Sequence, residues 1–132
     1  VAAELDQHPR IRLTDPMGYC DFVHLLSHAW LIVSDSGGIQ EEAAALGKPM
    51  IVLRENTERP EAVECGVARL VGEDPERLRD MLRTALIDEV WHANASRSRD
   101  VFGDGHTAER ICDVLFGTQA KSATSNKLPL AA

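Results

Sequence analysis

Apolar residues along this chain fall into short unbroken runs, separated by stretches in which they recur every three or four positions. The runs are Trp30-Leu31-Ile32-Val33, Met50-Ile51-Val52-Leu53 and Val67-Ala68-Arg69-Leu70-Val71, with a shorter one, Ile11-Arg12-Leu13, closed by Asp15-Pro16. They have strand length and little alternation, as expected of strands buried on both faces of a parallel sheet. The stretches between them read as helices. Phe22, Leu25, Leu26 and Ala29 share one face of a helix over 19–28, and a second helix runs from Gly38 to Gly47, glycine being favoured just past a helix C-terminus. Pro49 opens the next strand, and a polar loop over 54–59 leads to Pro60 at the first turn of a short helix ending near Cys65-Gly66. The pattern predicts an α/β fold with strands at 11–13, 31–33, 50–53 and 67–71, joined by helical crossovers and covered on both faces.

The C-terminal region reads as helical throughout. Asp74-Pro75 is an N-cap followed by proline at the first helical position, and Leu78, Met81, Leu82, Ala85 and Leu86 form a buried stripe. A weaker helix covers 91–96. Phe102-Gly103-Asp104-Gly105 is a tight turn before a last helix with Ala108, Ile111, Cys112 and Leu115 on one face. From Gly117 onward the periodicity vanishes, which predicts one domain over 1–117 and a disordered tail over 118–132. There is no internal repeat.

Composition narrows the function. The 132 residues suffice for one domain with a real core, and 44% hydrophobic with 27% charged residues is ordinary for a globular protein. A net charge of -7 without a basic cluster excludes nucleic acid as the expected partner. No apolar run approaches bilayer length and no signal peptide is evident, so neither membrane insertion nor export is expected. Cys20, Cys65 and Cys112 are an odd number without paired spacing, which suits reduced thiols and a cytoplasmic location.

The chemistry concentrates at Asp35-Ser36-Gly37-Gly38-Ile39-Gln40-Glu41-Glu42-Ala43, directly after an apolar run. A strand that ends in Asp-Ser-Gly-Gly and enters a helix is suited to an anion, because glycines admit close backbone approach and the first-turn N–H groups are unpaired. The Glu pair lies about one turn in, within reach of a sugar hydroxyl. The Lys-Ser/Thr ending of a P-loop is absent, which favours a nucleotide sugar over a nucleoside triphosphate. Other residues admit two readings. Cys20, His24 and His28 could share a helix face as metal ligands, or simply decorate a helix surface. Glu41-Glu42 could serve only as favourable charge at a helix N-terminus. His106 reads as a polar first-turn residue, Cys65 and Cys112 as small buried hydrophobes, and Phe22 could be ordinary core.

The run DSGGIQEEAAALGKP, followed after a short strand by Thr57-Glu58-Arg59-Pro60-Glu61-Ala62-Val63, resembles the non-hydrolysing bacterial UDP-N-acetylglucosamine 2-epimerases, in their C-terminal part. Tyr19 with Asp21-Phe22 before the motif, and Phe102-Gly103-Asp104-Gly105 after it, agree with this, so the likeness covers about residues 5–116. The resemblance implies the C-terminal half of a glycosyltransferase-B arrangement, that is, a Rossmann-like domain bordering a cleft that holds the UDP-sugar. It further implies that Phe22 packs on uracil, that Ser36 and the Gly37 and Gly38 amides bind the diphosphate, that Glu42 bonds the ribose hydroxyls, and that Arg59 stabilises the departing UDP. The implied reaction interconverts UDP-GlcNAc and UDP-ManNAc by UDP elimination and re-addition, with no cofactor and no metal.

In that family the acid–base carboxylates belong to the N-terminal domain, and a diphosphate-contacting His comes early in the C-terminal domain. Neither has a counterpart here. With the common strand order 3-2-1-4-5-6, the chain would keep strands 3 to 6 and lack the central pair, leaving residues 11–13 without a neighbour. The expectation is therefore a UDP-binding fragment, inactive alone, that self-associates, displaces its N-terminal segment or needs a partner chain to supply the missing strands and N-terminal domain. Two alternatives are a stand-alone, non-catalytic nucleotide-sugar binding or interaction module, and the donor half of another glycosyltransferase-B-like enzyme.

Overall fold

The computed structural model describes residue 5 and residues 7–116. Strands β1 (Ile32–Ser34), β2 (Met50–Val52) and β3 (Ala68–Leu70) form a parallel sheet in the order β1-β2-β3, with Ile32 opposite Met50 and Met50 opposite Ala68. Before β1 comes helix α1 (Tyr19–His28); α2 (Gly37–Leu46) connects β1 to β2, and α3 (Pro60–Glu64) connects β2 to β3. Helices α4 (Pro75–Ile87) and α5 (Glu89–Arg97) follow.

The two sheet faces bury different helices. Ile32, Met50, Val52 and Ala68 pack with Leu26 of α1, Ala43 of α2 and Ala62 of α3. On the other face, Ile51 and Val71 pack with Ala85 of α4 and Trp91 of α5. Met50, Ile51 and Val52 are all fully buried, so the absence of alternation in β2 reflects coverage from both sides. The expected α/β architecture, with parallel strands between helical layers, is what the chain adopts.

Two local features fasten these layers. Gly47 ends α2 in the left-handed region (φ 68°), where a side chain would meet the Ser96 Cα at 3.0 Å, so both conformation and space require glycine. Trp91 is buried, and its Nε1 donates to the Val67 carbonyl at 3.1 Å. Over its ring lies the Arg69 guanidinium, 4.0 Å from the centroid, which also donates to Asp88 at 2.8 Å. Asp88 caps α5 by accepting from the Trp91 N–H. The Arg69 hydrogen bond, and after it that N–H, hold the Asp88 carboxyl below its usual range.

The N-terminal segment departs from its sequence reading. Residues 11–13 form no strand, and Ile11 and Leu13 are exposed. A strand exists only through its ladder partners, and β1, the nearest strand in the chain, has no pairing on its outer edge among the described residues. Cys112, expected to be buried, is exposed, while Cys65 is half-buried. The tail over 118–132 lies outside the described residues.

A second unit begins at Gly103 and contains α6 (Thr107–Phe116). The Asp104 carboxylate accepts from Arg110 Nη1 at 2.9 Å, from Nη2, and from the His106 N–H at 3.1 Å. His106 directly precedes the helix, with Nδ1 bonded to Glu109 at 2.8 Å. The Arg110 hydrogen bonds, then the His106 amide, lower the Asp104 pKa to about 2. A depressed carboxyl pKa stabilises the turn above the unfolded value of about 3.9 and ceases to do so as pH falls through the folded value. Carbon-detected NMR titration should therefore show Asp104 with a midpoint near 2, returning toward the ordinary range in Arg110→Ala. An ordinary midpoint in the unaltered chain would contradict the pairing.

Candidate functional site

The carboxyl ends of β1 and β2 deliver the two motifs to one place. Beyond β1 the chain passes through Asp35 to Ser36, whose extended backbone (φ −78°, ψ 130°) precedes α2. The Ser36 N–H donates to Ser34 Oγ at 3.1 Å, which fixes the turn. Its own hydroxyl makes no capping bond to the helix, so the N–H groups of the first turn of α2 lack a side-chain acceptor there. No acidic residue occupies that turn. Glu41 and Glu42 sit in the second turn, where the helix-terminus field has largely fallen away, so compensating it does not explain them.

Gly37 and Gly38 are not demanded by the fold. Neither has a positive φ, and a Cβ built on either would meet nothing within 4 Å. Glycine in a helix costs about 0.5–1 kcal/mol relative to alanine. The packing of this chain does not explain that cost, whereas close approach by an outside group would.

The loop after β2 is pinned to α2 by side chains. Gln40, 1% exposed, accepts from the Thr57 hydroxyl at 2.6 Å and donates to the Ser36 carbonyl at 3.5 Å. Thr57 Oγ1 in turn accepts the Arg59 N–H at 3.0 Å. Arg59 Nε donates to Glu41, and its Nη1 donates to the Glu58 carbonyl at 3.1 Å. Residues far apart in sequence meet here because β1 and β2 are parallel neighbours, so both crossovers leave from the same end of the sheet.

The other expected residues lie on α1 and beside it. Tyr19, at the start of α1, is close enough to Glu42 that the carboxylate's negative charge, followed by lost hydration and a hydrogen bond between the two, raises the phenol pKa. Phe22, one turn further on, is half-buried against the core cluster containing Ala43. It also lines an open depression of about 290 Å³ with Thr14, Asp15, Pro16, Met17 and Leu25. The structure thus brings Ser36, Gly37, Gly38, Glu42 and Arg59 onto α2 and its adjoining loop, with Phe22 serving partly as core.

Gln40, Glu41 and Thr57 stand in the two motifs, but the Gln40–Thr57 bond and the Glu41–Arg59 pair were not anticipated from them. One signal was available. Gln40 precedes Ala43, Ala44 and Gly47 by three, four and seven positions, so it stands on the buried stripe of α2 and needed a polar partner. The Cys20, His24 and His28 group has no ligand geometry. His28 Nδ1 bonds the His24 carbonyl at 2.9 Å, and among the described residues no cluster of three His, Cys, Asp or Glu could hold a metal ion. Among the described residues, no helix is long and apolar enough to cross a membrane.

The sequence profile of the UDP-N-acetylglucosamine 2-epimerases matches residues 1–116. The chain belongs to this family. It is 50% identical over 103 residues to the UDP-N-acetylglucosamine 2-epimerase of Escherichia coli K12, a match covering 78% of this chain and 27% of that protein. Its fold is similar to the UDP-GlcNAc 2-epimerase of Neisseria meningitidis solved with UDP-GlcNAc (TM-score 0.75, 38% identity, 86% of this chain and 31% of that one). It is equally similar to the Methanocaldococcus jannaschii enzyme solved with UDP-GlcNAc and UDP (TM-score 0.74, 39% identity, 88% and 30%). The family expected from the two motifs is thereby established, and the chain spans less than one-third of the length of these relatives.

Proposed function

We propose that this chain holds the uridine diphosphate end of a nucleotide sugar at the N-terminus of α2. The observation that carries the reading is the pair Gly37 and Gly38, which face open space at a helix terminus with the Arg59 loop fastened alongside. The Ser36 hydroxyl and the Gly37 and Gly38 amides donate to the diphosphate, Arg59 adds a charged fork, and Glu42 accepts from the ribose hydroxyls. Phe22 supplies an apolar edge for uracil. That the relatives named above were solved with UDP-GlcNAc or UDP supports this ligand class.

In the complete reaction these residues serve the leaving group. As UDP departs from C1 of the sugar, negative charge accumulates on its β-phosphate, and donors already aimed there stabilise that charge without reorganising. The same contacts retain UDP for re-addition after the other face of the sugar is presented. The proton at C2 must move to and from groups supplied outside this chain, so the isolated chain binds UDP and does not epimerise. The same reading accounts for the outer edge of β1, unpaired among the described residues, where further strands of such a domain would continue the sheet.

Calorimetric titration of the full chain with UDP tests the site. Saturable one-to-one binding is expected, weakened about tenfold or more in Ser36→Ala and in Glu42→Ala, as for loss of a charge-assisted hydrogen bond. A folded chain that shows no UDP binding overturns the function, and equal affinity in all three proteins overturns the residue roles.

A further inference from the structure

We propose that Glu41 is a positioning residue, which orients the Arg59 guanidinium before a diphosphate arrives; the proposal rests on the assignment of Arg59 to that ligand. Guanidinium carries five N–H donors in a rigid fork. Here Nε is bound by Glu41 and one Nη1 hydrogen by the Glu58 carbonyl. The second Nη1 hydrogen and both on Nη2 have no partner among the described residues. These three hydrogens remain for phosphate oxygens, which a guanidinium can meet two at a time.

Both sides of the ion pair stand on anchored backbone. Glu41 follows Gln40, whose buried side chain is bonded to Thr57, and Thr57 in turn holds the Arg59 N–H. An arginine side chain otherwise has large rotational freedom, all of which a ligand would have to suppress on binding. Fastening Nε and Nη1 in advance removes most of that cost. Stability alone does not account for the pair. Its side chains are 34% and 44% exposed, and ion pairs so open to solvent contribute little to folding. The adjacent carboxylates therefore divide their work: Glu41 is engaged with Arg59, while Glu42 is the one assigned above to the ribose hydroxyls.

A double-mutant cycle on the full chain tests this by UDP calorimetry, with thermal melting to confirm that each variant is folded. Glu41→Ala should weaken UDP binding by about tenfold, whereas Glu41→Gln, which keeps an acceptor for Nε, should recover most of the loss. In an Arg59→Ala background, Glu41→Ala should change affinity by less than about twofold, since the group it positions is gone. Without ligand, the Arg59 Nε–H resonance should exchange slowly with water in the unaltered chain and quickly in Glu41→Ala. Unchanged or tighter UDP binding by Glu41→Ala, with Arg59→Ala still weakened, overturns the positioning role and leaves the site standing. No effect of Arg59→Ala on UDP binding overturns the assignment of Arg59 and the proposal with it.

Discussion

Replacing Trp91 with alanine is expected to lower the unfolding free energy by about 3–5 kcal/mol, the range for removing a buried aromatic side chain. The indole is 1% exposed and fills the layer between the sheet and helices α4 and α5, against Ile51, Val71 and Ala85. Its loss opens a cavity between the sheet and helices α4 and α5 and removes the surface over which Arg69 lies. A domain of this size has a total stability of about 5–15 kcal/mol, so most of the margin is at stake. Trp91→Phe keeps much of the volume and loses the Nε1 donation, but the Val67 carbonyl still accepts from the Met50 N–H at 2.9 Å, so the lost bond should cost about 0.5–1.5 kcal/mol. Urea denaturation followed by far-UV circular dichroism measures both. Trp30, 51% exposed, remains as a fluorescent reporter in either variant. A loss below about 1 kcal/mol in Trp91→Ala would show that the layer closes without it.

Gly38→Ala should separate folding from binding. The backbone there is not in the left-handed region and the new methyl group meets no protein atom, so stability should be unchanged or rise by up to about 1 kcal/mol. UDP affinity should nevertheless fall by about tenfold or more, because the methyl stands where a phosphate must approach the helix N-terminus. Gly47→Ala provides the opposite control. Its positive φ and the 3.0 Å approach to Ser96 Cα make that substitution destabilising without touching the site. Thermal melting beside UDP calorimetry reads both quantities. A Gly38→Ala protein that binds UDP as well as the unaltered chain would remove the argument that these glycines face a ligand.

Much of the architecture was legible in the apolar pattern. β2 and β3 fall within the runs at 50–53 and 67–71, and Asp74-Pro75 marked the start of α4. These features depend on neighbours within a few residues, which is why spacing and caps reveal them. Residues 11–13 show where this kind of reading stops. Their apolar character was correctly seen, but a strand is defined by a partner, and no partner is written in the segment itself. Glu41 and Glu42 illustrate the same limit inside the site. Side by side in sequence they look interchangeable, yet they project in different directions from α2, one toward Arg59 and one toward Tyr19.

By itself, the sequence determined the strand-to-helix turn at Ser36-Gly37-Gly38, the run of elements from α1 to α5, and the family to which they belong. Each of these is encoded by residue types at short spacing. Only the tertiary structure decided that Gln40 would bury its amide against Thr57 and that Glu41 would take Arg59, 18 residues away. The reason is topological. Parallel pairing of β1 with β2 places both crossovers at one end of the sheet, and contacts made there depend on how strands are ordered in space.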